Sequence, residues 1–268
     1  MWLRKLKPNP SEVPLREPCY LSVLNDCGQC SDACRASQTD WQHWLETHFR
    51  GHQPAKGATL ALSESDAEWF RRDADRFGGR ISVTKIPPAL LTITSTHDDY
   101  WQLIGPKGRN MVRKAERSGY SFDVFHWNDR LDDIFAVNTS MTERGGKPMT
   151  AGYRERPTSI SSEAYCTQHG RRYFGAFKND TLVAYLVLVF CGHFAIINTI
   201  LGHGDHLKNG IMNGLIDFMV RHLVRDRRIR YVNYLTLRSG RETLDSFKKR
   251  VGFAEYEAVF LVSASHAR

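Results

Sequence analysis

Four sets of residues in this chain could do chemistry. The first is "SFKKRVGF", residues 246–253, which puts Lys248 and Lys249 directly after Phe247. The apolar stripe of this segment is Leu244, Phe247 and Val251, at i, i+3 and i+7. At about 100° per residue, Lys249 falls nearly opposite that stripe. Lys248 falls beside it, so its stem can follow the apolar surface while its ammonium reaches a cleft. A cation so placed can support an oxyanion or hold a phosphate. Lys248 is the expected catalytic cation, Lys249 is peripheral, and a lysine snorkelling at a helix end is the plainer reading.

The second set lies in "LGHGDHLKNGIMNGL", where His203 and His206 precede a polar, glycine-flanked loop. An imidazole there can act as general base, and His206 is the candidate. Lys208 and Asn209 stand just before a helix start, where an anion can bind, and Asn213 opens a polar line along that helix with Asp217, Arg221 and Arg225. Ordinary helix entry explains the same residues. Tyr234, in "YVNYLTL", offers a hydroxyl from a strand, and its alternation with Val232 leaves the direction of the side chain open.

The third set is a basic stripe. Arg109, Arg113 and Arg117 recur at i, i+4 and i+8 in "PKGRNMVRKAERSG", opposite Met111, Val112 and Ala115. Such a stripe is a solvated face or a phosphate-binding surface. The fourth set is Cys19, Cys27, Cys30 and Cys34, four thiols within sixteen residues. They could hold a structural zinc or an iron–sulfur cluster, although the usual arrangement is two separated pairs; free loop thiols are the other reading. No cofactor is otherwise required. The chain has no Ser-His-Asp order, P-loop or G-x-G-x-x-G, so nothing supports a hydrolase, NTPase or dehydrogenase.

These residues need elements to position them. The 268 residues carry a formal charge of +8, and the excess of Lys and Arg favours an anionic partner. The apolar runs are interrupted and too short to span a bilayer, and no apolar segment follows the charged N-terminus as in a signal peptide, so a cytoplasmic protein is expected. Up to residue 95, strand and helix signals alternate: "CYLSVL", "ATLALS" and "ALLTITS" read as strands, "TDWQHWLETHF" and "SDAEWFRRDADRFG" as helices. The basic stripe lies on a helix opening near Pro106 and closing at Gly119. After it come strand "SFDVFHW", helix "DDIFAVNTSMTERGG", three strands with turns at Asn179-Asp180 and Gly192, helix "GIMNGLIDFMVRHLVRD", strand "RYVNYLTL", helix "ETLDSFKKRVG" and strand "EYEAVFLVS". This order predicts an α/β (α+β) mixed sheet with helices on both faces.

That order, carrying "GRNMVRKAERSG", "TERGG", "YFGAFKNDTLVAYLVLVF" and "FKKRVGF", resembles the GNAT N-acyltransferase fold over residues 95–262. More narrowly it resembles the Fem family of aminoacyl-tRNA-dependent transferases and their acyltransferase relatives. The resemblance implies a tandem: a degenerate GNAT-like half over 1–121 and a complete GNAT-like acyltransferase domain over 122–268. It implies transfer of an acyl or aminoacyl group from an aminoacyl-tRNA or acyl-CoA to a small amine or peptide-like acceptor. It places Lys248 near the reacting centre, and Arg144 and Lys147 near the acceptor. CoA-dependent GNAT enzymes bind pyrophosphate with an R/Q-x-x-G-x-G/A loop. Centred on Gly210, that pattern meets Leu207 first and Met212 last, so it is not satisfied, and the tRNA donor is slightly preferred. A non-catalytic module that binds RNA or a phosphorylated ligand is the reading from another class.

Overall fold

The computed structural model describes residues 19–23, 80–83, 88–160, 169–191, 194–237, 240–255 and 258–262. Strands β1 (Cys19–Val23), β2 (Arg80–Val83) and β3 (Pro88–Thr92) precede helices α1 (His97–Leu103) and α2 (Gly105–Arg117). Then come β4 (Ser121–Val124), α3 (Leu131–Thr139), the two-residue strands β5 (Glu143–Arg144) and β6 (Lys147–Pro148), and the long strands β7 (His169–Lys178), β8 (Thr181–Cys191) and β9 (Phe194–Gly202). Helix α4 (Ile211–Asp226), β10 (Tyr231–Thr236), α5 (Glu242–Arg250), β11 (Ala254–Glu255) and β12 (Ala258–Val262) complete the order.

Seven strands form one sheet in the order β11-β3-β10-β9-β8-β7-β4. From β4 through β9 neighbours are antiparallel, and α4 carries the chain back so that β10 runs parallel to β9. The β7–β8 turn falls on Asn179 and Asp180, both left-handed (φ 50° and 63°), which matches the twist of a tight hairpin. Strand β8 is buried from Leu182 to Phe190, so its sequence reads as a continuous apolar run rather than an alternation. One face packs Phe174, Leu186 and Leu188 against Ile211, Leu215 and Met219 of α4; the other packs Tyr173, Tyr185 and Val187 against Ile134 and Val137 of α3. Each such aliphatic or aromatic side chain contributes roughly 1.5–3 kcal/mol when fully buried.

Strand β3 lies between β10 and β11, and so crosses the division drawn at residue 121. β12 leaves this sheet to join a second one, between β1 and β2. The stretch read as one last strand is therefore two, in different sheets. The helix expected over 132–146 stops at Thr139. There the Thr139 and Ser140 hydroxyls donate back to the carbonyls of Phe135 and Val137, competing with the helix ladder. Gly145 and Gly146 (φ 57° and 73°) then turn the chain into the β5–β6 hairpin. Helix α1 was not foreseen, although Thr96 and Asp99 form a capping box at its start. No described helix is long and apolar enough to cross a membrane. The two helices expected before residue 79, and the strand "ATLALS", lie outside the described residues.

Candidate active site

The sheet opens where β9 and β10 part. The two strands pair only at Phe194–Ile196 with Tyr231–Asn233, yet β9 continues to Gly202 and β10 to Thr236. Strand β10 is turned aside at Leu235, a left-handed non-glycine residue (φ 55°). A residue held there costs on the order of 1–3 kcal/mol and persists only where its surroundings enforce it. Here they do. The buried Asn233 amide donates to the carbonyls of Leu235 (3.1 Å) and Ala89 (3.2 Å), while its oxygen accepts from the Leu235 N–H at 3.0 Å.

Lys248 is the second brace. It reaches from α5, is 0% exposed, donates to the Thr236 carbonyl at 2.6 Å, and stands 4.5 Å from the centre of the Tyr234 ring. Burial, opposed by Asp245 and aided by Arg241, brings its ammonium from the usual lysine range down to about 8. The sequence placed Lys248 beside the core, but the structure puts it inside. On α5 it is the buried residue, while Leu244 and Phe247 are half-buried. The side chain turns inward to donate to the Thr236 carbonyl, just past the kink, where β10 has resumed its pairing with Pro88 of β3. Tyr234 is half-buried, packs edge-on to Phe253, and is pushed up to about 12 by burial, so its hydroxyl stays protonated.

A cavity of about 450 Å³ lies on the α3 side of the sheet, with Trp127, Asn138, Tyr153, Tyr173, Tyr185 and Thr199 on its walls. A bulge in β9 shapes it: Val187 pairs with Thr199 and Leu188 with Ile197, so Asn198 is the extra residue. Asn198 and Thr199 therefore both face the cavity, an example of a bulge re-aiming side chains. Tyr153 lines this cavity beside Tyr185, whose pKa is raised by burial and, less, by the Tyr153 phenol. At the end of α3, Arg144 donates to the Val137 carbonyl and to the Ser140 hydroxyl, and that hydroxyl accepts from the Gly204 N–H. Burial holds the Arg144 guanidinium below its usual range. Arg144 and Ser140 thus tie the end of α3 to the loop before α4.

That loop makes a second cluster. The Nδ1 of His206 shares a 2.7 Å hydrogen bond with the Tyr120 hydroxyl, which also accepts from the Asn209 amide at 2.8 Å. Partial burial lowers the His206 pKa, as do His203 and Lys178, so it is a neutral imidazole near pH 7. His203 caps the 3-10 turn by accepting from the Asp205 N–H. Helix α2 closes over the start of α4. Its Lys114 donates to the Lys208 carbonyl at 2.9 Å, and the Met111 carbonyl would lie 2.2 Å from a Cβ on Gly210.

The expected residues therefore divide between places. Lys248 and Tyr234 touch each other at the kink, and Arg144 stands by the cavity. His203, His206 and Lys208 belong to the loop before α4, with Asn213 buried in the first turn of that helix. Arg109 donates to the Trp101 carbonyl and Arg113 stacks over the Trp101 ring, so two members of the basic stripe are tied to α1. Lys147 and Lys249 are exposed and Phe247 packs on the core surface. Cys19 lies in β1; Cys27, Cys30 and Cys34 lie outside the described residues. Among the described residues no group of His, Cys, Asp or Glu could hold a metal ion. Sequence reasoning missed Asn138 and Tyr185. The signal for Asn138 was present: it continues the buried Ile134–Val137 stripe of α3, where a polar side chain is out of place.

No protein-family model matches the chain, and no curated protein matches its sequence. Among solved structures, FemX is similar over 93% of this chain and 82% of its own, with 11% identity and a TM-score of 0.50. The C-terminal DUF2156 domain of a protein from Agrobacterium fabrum, described as a lysylphosphatidylglycerol synthetase, is similar over 74% of this chain (17% identity, TM-score 0.42). A tandem GNAT protein from the clavulanic acid biosynthesis pathway is similar over 86% of this chain and 69% of its own (14% identity, TM-score 0.38). The chain spans 65% of the length of the Agrobacterium domain and 48% of L-PGS from Bacillus licheniformis. The meander β4-β7-β8-β9, joined through α4 to a parallel β10, is a GNAT-like fold, and FemX shares it.

Proposed function

We propose that the protein is an N-acyltransferase that forms an amide on an amine acceptor, with aminoacyl-tRNA as donor in preference to acyl-CoA. The observation that carries this reading is the parting of β9 and β10, braced by a buried lysine, with Asn198 and Thr199 of the parted β9 lining a cavity of substrate size. In the proposed reaction the donor carbonyl lies in that opening. The acceptor nitrogen attacks it, the bond to the donor oxygen breaks, one proton leaves the amine and one is returned to the departing hydroxyl. Lys248, fully buried with one N–H on Thr236, supports the developing oxyanion through its positive charge. Tyr234, protonated and beside Lys248, is the candidate for the proton returned to the departing hydroxyl, and the amine's proton passes to solvent; neutral His206 belongs to the separate cluster before α4.

Two features favour a tRNA donor. Helix α2 crowds the α4 start at Gly210, and the exposed Lys114, Arg117 and Lys208 add positive charge beside it. One observation favours acyl-CoA: the Asn213 side-chain nitrogen, in the first turn of α4, is buried without a partner among the described residues. Thermal stabilisation separates the donors. The expected outcome is a rise in Tm with charged tRNA that weakens as salt increases, and no rise with CoA. Stabilisation by CoA alone transfers the assignment to acyl-CoA. RNA binding without amide formation from any donor leaves a non-catalytic binding module.

A further inference from the structure

The floor of the cavity carries a chemistry that the transfer reading does not specify. Asn138 is 6% exposed and Tyr185 is 2% exposed, and both line the cavity. The Tyr185 hydroxyl donates to the Asn138 oxygen at 2.7 Å. That bond uses the acceptor atom of the amide and leaves its Nδ2, with two N–H donors, without a partner among the described residues. Those donors open on the cavity, where water or a ligand meets them. The charges around the cavity point the same way. Among the described lining residues the cations are Arg156, which pairs with Asp132 outside the lining, and Arg171, and the acid is Glu155. Behind the floor, Arg144 grips the Val137 carbonyl, is partly buried, and has no acidic partner among the described residues.

Building on the transferase reading, we infer that Asn138, oriented by Tyr185, donates to a carboxylate of the acceptor, so that the acceptor is an amine bearing a carboxylate: a free amino acid or a short peptide. The rim residues Asn198 and Thr199 supply further polar contacts along the bulge, and the rings of Trp127, Tyr153 and Tyr173 cover the acceptor's apolar part. Asn138 and Tyr185 decide which amine is accepted and take no part in bond making.

Calorimetric binding tests this without a donor. The probes are L-alanyl-L-alanine, its C-terminal amide, and L-alanine. The dipeptide should bind the full chain about tenfold tighter than its amide, as expected for a charge-assisted hydrogen bond against a neutral one. Equal binding of alanine and the dipeptide identifies a free amino acid as the source of the carboxylate, and tighter dipeptide binding identifies a peptide. Asn138→Asp keeps the acceptor for Tyr185 and replaces the donor by an anionic oxygen, so it should reverse the preference in favour of the amide. Asn198→Asp, on the exposed rim, adds the same charge without touching the floor and should weaken dipeptide binding several-fold; it serves if Asn138→Asp does not fold. Equal affinities in the unaltered protein, an unchanged ratio in both variants, or no saturable binding at millimolar concentrations overturns the inference. Amide formation on a carboxylate-free amine, with the dipeptide failing to bind, would leave the transferase reading standing. Dipeptide binding with no amide formed from any donor would do the reverse.

Discussion

Lys248→Met should reduce acyl transfer by about ten- to a thousand-fold, the range for losing one electrostatic donor, while leaving the protein folded at pH 7. Methionine fills a similar volume, so the substitution isolates the charge. Lys248→Ala should instead lose about 2–5 kcal/mol of stability, because it empties a fully buried position and removes the donor to the Thr236 carbonyl. The charge itself has a pH signature. Burial lowers the folded pKa to about 8, below its ordinary unfolded value, so the folded state binds fewer protons between the two. Stability therefore rises with pH through that window, and below it the penalty for burying the charge is fully present. Denaturant unfolding of the unaltered protein, compared with Lys248→Met, should show a difference that grows by up to about 3 kcal/mol between pH 8 and 10.5 in favour of lysine. A flat difference, with unchanged turnover, would reduce Lys248 to a packing residue. Lys249→Ala, on the exposed side of α5, should change neither quantity.

Gly210→Ala should be among the most damaging single-methyl changes in the chain, at about 3 kcal/mol or roughly 6–12 °C in Tm. Two causes add. Residue 210 holds φ at 80°, where an L side chain is strained, and the new Cβ would meet the Met111 carbonyl at 2.2 Å. The obstacle is backbone, so α2 and the start of α4 must separate. Gly146→Ala is the control. It has φ 73° but nothing within 4 Å of the added Cβ, so only the conformational cost of about 1 kcal/mol should appear. If Gly210→Ala proved as mild as Gly146→Ala, α2 would not be closed on the α4 start, and the argument against a CoA phosphate at that position would fall.

Periodicity and turn chemistry carried most of the second half of the chain into view. The run from β7 to β9 is legible because Asn179-Asp180 marks a tight turn between long apolar stretches, and α4 because its apolar residues recur at helical spacing. What escaped was set by tertiary contacts. Lys248 is charged, and residue type alone places it at the surface; inside, its ammonium is met by the Thr236 carbonyl just past the kink at Leu235 and by the Tyr234 ring. Leu235 itself gives no warning, since leucine has no preference for a left-handed conformation. Phe247, the expected core anchor of α5, is only half-buried because the helix is rotated to bring Lys248 inward. The cavity depends on a bulge at Asn198 that no local pattern announces, and on a helix α3 cut short by Thr139 and Ser140. By contrast, the capping residues of α1 and the polar Asn138 in an apolar stripe were readable signals.

The most direct test of the central claim is amide formation under single-turnover conditions. Purified protein is mixed with a pool of charged tRNAs or with acyl-CoA, together with L-alanyl-L-alanine and a set of simple amines, and the products are read by mass spectrometry. The expected result is an N-aminoacylated acceptor formed from charged tRNA, at a rate that Lys248→Met lowers by at least about tenfold. Binding of a donor and an acceptor with no amide formed from either donor class, or an amide rate that Lys248→Met leaves unchanged, would contradict it.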